Sequence, residues 1–170
     1  MPARHKSDNP LRVAIVGGGA GGLFTALCLH HHCGNDSLDI QVYEQANEFK
    51  EIGAGVGLGV NAARLFHKIG LGEQLNAIAG HRNGIWISFR RYDDSGEIVQ
   101  VPMNDTQTVR QAPVARSVLL DLLRNALAER KAATLHTKKR CIRVEVSPIC
   151  ITVLNRCRRE VICRKAAKYP

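Results

Sequence analysis

The sequence predicts an α/β fold that opens with a strand, a helix and a second strand, and three observations carry that expectation. An apolar run of strand character (Val13, Ile15, Val16) leads into residues 17–22, where five of six positions are glycine. Residues 23–29 then have helix character. Another strand-like run, DIQVYE, ends at Glu44. Glycine inside an element costs stability, so a cluster this dense needs a reason. Between a strand and a helix, it is the arrangement that brings backbone N–H groups to a phosphate.

Local pattern justifies each element in turn. The first strand covers 12–16, the helix runs from Gly21 to about His32, a GNDS loop follows, and the second strand occupies 39–44. Together they make a βαβ unit of about thirty residues, the length a parallel crossover needs. In EIGAGVGLGVNAARLFHKIGL, Asn61 is the expected N-cap, Ala62, Leu65, Phe66 and Ile69 share one helical face, and Gly70 closes the helix. A short helix is expected over 72–79. ISFRRYDDSGEIVQV sets two strand-like runs around the turn residues DDSG, a β-hairpin within 84–101 that belongs to a second layer. In ARSVLLDLLRNALAER, Ser117 is the expected N-cap, and Val118, Leu119, Leu122, Leu123, Ala126 and Leu127 form the apolar stripe. KRCIRVEVSPICITVL alternates like a strand pair, and the last residues show no amphipathic design.

A chain of 170 residues has room for one domain with a substantial core, or one domain and part of another. Its formal net charge of +9 invites a nucleic-acid or membrane reading. The distribution of that charge argues against both. Residues 1–129 hold 12 basic and 13 acidic groups, whereas 130–170 hold 12 basic and 2 acidic. The expected organisation is therefore a polar leader over 1–10, a main domain over 11–130 that includes the hairpin, and a basic, cysteine-rich tail over 131–170. Nucleic-acid binding would call for interleaved aromatic residues, and after Tyr92 only Tyr169 is aromatic. The first apolar run is broken by glycines long before it could cross a bilayer, so no membrane span is expected. Four of the six cysteines lie in the tail, and none has C-x-x-C spacing. Free thiols in a reducing, cytoplasmic compartment follow from that pattern. The run His30, His31, His32 does not read as a metal site, because consecutive helix positions diverge too widely to converge on one ion.

Within residues 17–22, Gly17 allows the sharp turn, Gly19 lets a pyrophosphate approach the backbone, and Gly22 lets helix and strand pack closely. Glu44 lies 22 residues after Gly22. An acidic side chain there can accept hydrogen bonds from both adenosine ribose hydroxyls and would repel a 2′-phosphate, which favours FAD or NAD over NADP as the bound dinucleotide.

Several motifs then match together. VAIVGGGAGGL, VYEQA, FKEIGAGVGLGVNA, FRR with its D-S-G-E turn, and PVARSVLLDLL resemble, in order and spacing, the N-terminal portion of the FAD-dependent aromatic monooxygenases of the salicylate hydroxylase type, fungal members in particular. The resemblance covers residues 11–130 and implies a Rossmann-like FAD-binding domain. It implies that Glu44 holds the adenosine ribose, that the segment 53–57, with Gly55 and Gly57, runs near the flavin, and that Arg116 touches the cofactor. A positive charge at a helix start is mildly unfavourable against the helix dipole, which agrees with a ligand role for Arg116. Val60 stands where the family often has proline, and Ala115 where it often has histidine. The resemblance further implies NADH or NADPH as electron donor, oxygen as co-substrate and a small aromatic substrate.

Family members are considerably longer. Their later D-G and G-D motifs and substrate sheet have no counterpart here, so the expectation is an incomplete FAD domain from a truncated chain, with no catalytic base to name. An inactive FAD-binding remnant and an NAD-dependent dehydrogenase half-domain are the alternatives. The segment 53–57 and Arg116 count against the dehydrogenase.

Overall fold

A computed structural model of the chain describes residues 10–34, 37–48, 55–80, 84–102, 109–146, 150–155 and 159–164, with the main chain alone from residue 146 onward. The polar leader up to Asn9, Gly53, Ala54 and Cys157 lie outside the described residues. The chain forms two compact units, Met1–Lys50 with Leu123–Pro170, and Glu51–Leu122.

The first unit contains the parallel sheet. Strands β1 (Leu11–Val16) and β2 (Leu38–Tyr43) pair in parallel, and the helix α1 (Ala20–Cys33) connects them. The register sets Val13 against Ile40 and Ile15 against Val42. Because side chains alternate along a strand, these four share a face. Helix α1 buries Leu23, Ala26 and Leu27, spaced by three and four residues as one helical face requires. The order of the sheet is β1-β2-β7, where β7 is the short strand Thr134–His136, parallel to β2. Three antiparallel strands follow, β8 (Cys141–Val146), β9 (Cys150–Asn155) and β10 (Arg159–Arg164), in the order β10-β9-β8. The expected α/β class with a parallel βαβ unit is what the chain adopts. The strand pair expected after residue 140 is present and gains a third strand.

The second unit begins with β3 (Gly55–Leu58), antiparallel to β6 (Ala112–Ala115). Between them lie α2 (Val60–Lys68), α3 (Gly72–Ile78) and the hairpin of β4 (Ile85–Arg90) and β5 (Glu97–Pro102). The hairpin turn is held by Arg91 N–H donating to the Gly96 carbonyl at 2.8 Å, while Asp94 Oδ1 accepts from Gly96 N–H at 2.7 Å. An aspartate bonded to the main chain two residues ahead stabilises a turn locally. The Glu97 carboxyl is held below its ordinary value by the hydrogen bond from Gln100 and, further, by Ser88 and the Arg90 guanidinium.

Two helices differ from expectation in phase. Helix α2 starts at Val60 with Gly59 as its N-cap, and Asn61 stands inside the first turn. The residues it buries are Ala63 and Phe66, with Ile69 at its end, whereas Leu65 is 47% exposed. Helix α4 (Arg116–Glu129) follows β6 without a linker, so Ser117 is already helical and cannot cap it. Its buried residues are Leu119, Leu120, Leu123, Ala126 and Leu127, while Val118 is 42% exposed. Both helices begin two residues earlier than expected: α4 starts directly where β6 ends, and α2 starts after the single residue Gly59 that follows β3.

That phase has a measurable consequence. Leu120→Ala is expected to destabilise the protein by about 2–5 kcal/mol, the range for truncating a buried leucine. Val118→Ala, on an exposed helical position, is expected to stay within about 0.5 kcal/mol of the parent. Urea unfolding of the two variants checks the pair, and the reverse ranking would contradict the packing of α4.

Candidate functional site

Strand β1 ends at Val16, and the chain turns at Gly17, whose φ of +107° lies in the left-handed region that favours glycine. Gly17 N–H donates to the Tyr43 carbonyl at 2.8 Å, tying the turn to the end of β2. Gly19 is the N-cap of α1, with φ −71° and ψ 179°, and its carbonyl accepts from Leu23 N–H at 3.0 Å. No side chain caps this end of the helix, and its first turn contains no acidic residue. The N-terminal N–H groups and the positive end of the helix dipole are thus offered to an anion from outside the chain.

The glycines of the turn divide by what they meet. A methyl group on Gly22 would collide with the carbonyl oxygen of Gly17 and press on the side chain of Ile15. The space beside Gly19 and Gly21 is open, with no described atom within 4 Å of where a side chain would begin. Packing therefore demands glycine at 22 and the turn demands it at 17. At 19 and 21 the bare backbone faces open space that a phosphate group can enter.

Glu44 follows β2 directly and is partly buried. Its N–H donates to the His136 carbonyl at 2.8 Å, and its own carbonyl accepts from Lys139 N–H at 2.8 Å. The side chain reaches back to the glycine turn, where Oε2 accepts from Gly18 N–H at 2.7 Å, while Oε1 accepts from Ala46 N–H at 2.8 Å. A carboxylate offers about four lone-pair sites, so two remain for hydroxyl donors. Glu44 thus closes the turn against β2 and still presents acceptors.

Gly55, Gly57 and Arg116 lie in the second unit. Gly55 pairs with Ala115 and Gly57 with Pro113 across the β3–β6 ribbon, and Arg116 is the exposed first residue of α4 immediately after it. A methyl on Gly57 would strike the indole of Trp86, whereas one on Gly55 would make only ordinary contact with the Val114 carbonyl. The sequence-predicted residues therefore fall into two groups, Gly17, Gly19, Gly22 and Glu44 around one turn, and Gly55, Gly57 and Arg116 at one ribbon. The sequence did not reveal Gly18, His136 or Lys139 as partners of Glu44, since a three-residue strand leaves no periodic signal.

Among the described residues, no group of three or more His, Cys, Asp or Glu side chains is placed to hold a metal ion. No described helix is long and apolar enough to cross a membrane. Burial pushes the Cys28 thiol up, which keeps it protonated and a poor nucleophile at neutral pH.

A parallel strand, a glycine turn, an uncapped helix and a carboxylate beyond the second strand define an α/β protein of the dinucleotide-binding class. Solved structures agree on the fold: FqzB superposes with a TM-score of 0.72 at 19% identity, over 93% of this chain and 37% of that one. The flavin-dependent monooxygenase PieE, solved with FAD and substrate, gives 0.68 at 18% identity over 86% of this chain and 27% of that one. No protein-family model matches. In sequence, the chain is 38% identical over 133 residues to salicylate hydroxylase of Pseudomonas putida, covering 73% of this chain and 29% of that protein. It is 32% identical over 152 residues to 6-methylsalicylate 1-monooxygenase of Aspergillus terreus, covering 84% of this chain and 32% of that protein. The chain is similar in sequence to FAD-dependent aromatic monooxygenases of the salicylate hydroxylase type, and it spans about a third of the length of the curated relatives it matches.

The glycine turn yields a paired expectation. Gly22→Ala should destabilise by about 1–3 kcal/mol or more, the scale of a forced overpacking. Gly19→Ala, at a φ that alanine adopts freely, should leave stability within about 1 kcal/mol of the parent. Thermal unfolding in the absence of any nucleotide separates the two, and equal losses would mean that position 19 is packed.

Proposed function

We propose that this chain binds FAD as part of an NADH- or NADPH-dependent monooxygenase that uses oxygen to hydroxylate a small aromatic substrate. The observation that supports the reading best is the open space over Gly19 and Gly21, at the uncapped start of α1 and beside the carboxylate of Glu44. The donor set suits a dinucleotide: backbone N–H groups for the pyrophosphate, and an acceptor-only side chain for two ribose hydroxyls. Gly17 and Gly22 shape the turn, Gly19 admits the pyrophosphate, and Glu44 holds the ribose. The family resemblance assigns Gly55, Gly57 and Arg116 to the same cofactor.

When bound, FAD supplies the passage of electrons from the nicotinamide donor to oxygen, which protein side chains cannot carry. The chain's own residues bind and orient it. The names of the relatives, salicylate hydroxylase and 6-methylsalicylate 1-monooxygenase, support a small aromatic substrate rather than nucleic acid. We propose a cytoplasmic location, with which unpaired cysteines at Cys28, Cys33 and Cys141 are in keeping. A dehydrogenase holding NAD at the same turn is the competing reading, and the likeness to monooxygenases counts against it.

Denaturing the purified chain and separating the released nucleotide by chromatography tests the cofactor. FAD is the expected product, and recovery of NAD without flavin would sink the assignment. Glu44→Ala should weaken FAD binding by about 1.5–3 kcal/mol, the scale of hydrogen bonds to a charged group. Gly19→Ala should also weaken it while the fold stays intact. Titration of the apoprotein with FAD measures both, and unchanged affinities would place the adenosine elsewhere.

A further inference from the structure

Strand β7 is three residues long, and its main-chain pairing covers only Gln41 with Thr134, Val42 with Leu135 and Tyr43 with His136. So short a pairing fixes its own register weakly. Side chains on one face of the sheet supply the rest. Asp39, Gln41 and Tyr43 alternate onto that face, with Arg12 opposite Asp39 and His136 opposite Tyr43. The His136 ring stacks on Tyr43, with centroids 4.9 Å apart and planes 11° from parallel. His136 Nε2 lies 2.7 Å from Gln41 Oε1. Gln41 Nε2 donates to Asp39 Oδ1 at 2.5 Å, and Asp39 Oδ2 is 3.4 Å from Arg12 Nε.

This row fixes a direction. Asp39 accepts, so the amide of Gln41 turns its NH2 toward it and its oxygen toward His136. His136 Nε2 is therefore the donor of that bond. The row also fixes a register, because a slip of one residue would carry His136 to the opposite face of the sheet. In the register observed, the His136 carbonyl accepts from Glu44 N–H, Lys139 N–H reaches the Glu44 carbonyl, and Lys138 N–H reaches the Ala46 carbonyl at 2.9 Å. The main chain of Glu44 is clamped on both sides, by His136 at the end of β7 and by Lys139 beyond it.

We propose that His136 is a positioning residue for Glu44: by locking β7 onto β2 through Gln41 and Tyr43, it aims the Glu44 carboxylate at the ribose of the bound nucleotide. The inference rests on the reading of Glu44 as the ribose acceptor. His136 acts through the main chain of Glu44, whose N–H donates to the His136 carbonyl. A loosely held acceptor loses part of its hydrogen-bond strength, since strength falls steeply with misalignment.

The test compares ADP, which carries the ribose hydroxyls, with 2′,3′-dideoxy-ADP, which lacks them, by calorimetric titration of the full chain. The parent should bind ADP more tightly. His136→Phe keeps a ring to stack on Tyr43 but loses the donor, and it should weaken ADP by about five- to tenfold while leaving the dideoxy analogue unchanged. Gln41→Leu should do the same, and the double variant should be no worse than either single one. Equal weakening of both nucleotides would reduce His136 to a general structural role, and unchanged ADP affinity would remove even that, so either result overturns the proposal. Should His136→Phe fail to fold, Gln41→Leu carries the comparison. A parent that binds ADP and its analogue equally overturns the ribose role of Glu44 and this proposal with it, whereas a parent that discriminates while both variants match it overturns this proposal alone.

Discussion

The contact on which the first unit depends is the one between Gly22 and the carbonyl of Gly17. Helix α1 starts so close to the end of β1 that no side chain fits between them. A bulkier residue at 22 would lift the first turn of the helix away from the strand. The N–H of Gly18 would then lose its place against Glu44, and the open, uncapped helix start would no longer face the end of the sheet. One missing methyl group thus links the packing of α1, the shape of the turn and the place where an anion can be received.

Glu44 shows how a single residue can tie distant parts of a fold together while its carboxylate keeps acceptor sites open. It receives main-chain hydrogen bonds from the glycine turn and from Ala46, and its own main chain is held by the last residue of β7 and by Lys139 beyond it. Three segments of the chain, the glycine turn, residues 44–46 and residues 136–139, therefore meet at Glu44. In the ribose-acceptor role proposed above, a group held this way would need little reorganisation when hydroxyl donors arrive, which is where preorganised sites gain their affinity. The arrangement also explains why a strand of three residues matters, since β7 delivers the main chain that completes the clamp.

In the second unit, glycine again marks a close approach. Gly57 lies under the indole of Trp86, so the β3–β6 ribbon and the start of the hairpin pack through a position that tolerates no side chain. That contact accounts for a glycine in the segment 53–57 without reference to any ligand. Gly55, by contrast, has room for a side chain within ordinary contact distance, and packing does not explain its identity. The Arg116 that follows the ribbon occupies the first position of a helix, where only a negative partner offsets the dipole.

The sequence by itself determined the βαβ unit, the glycine turn, the carboxylate at the end of the second strand, the hairpin and the family resemblance. These are local features, written as strand alternation, helical periodicity and the special backbone demands of glycine within a few residues. Tertiary structure alone decided the phase of α2 and α4, because a helix that starts directly from a strand, as α4 does, or one residue beyond it, as α2 does, takes its first residue from where that strand ends rather than from the nearest capping side chain. It also decided that Leu120 is buried and Val118 exposed, and that Thr134–His136 joins the parallel sheet. A three-residue strand has too little periodicity to announce itself; its register comes from partners almost a hundred positions away, Gln41 and Tyr43, which only the folded chain brings beside His136.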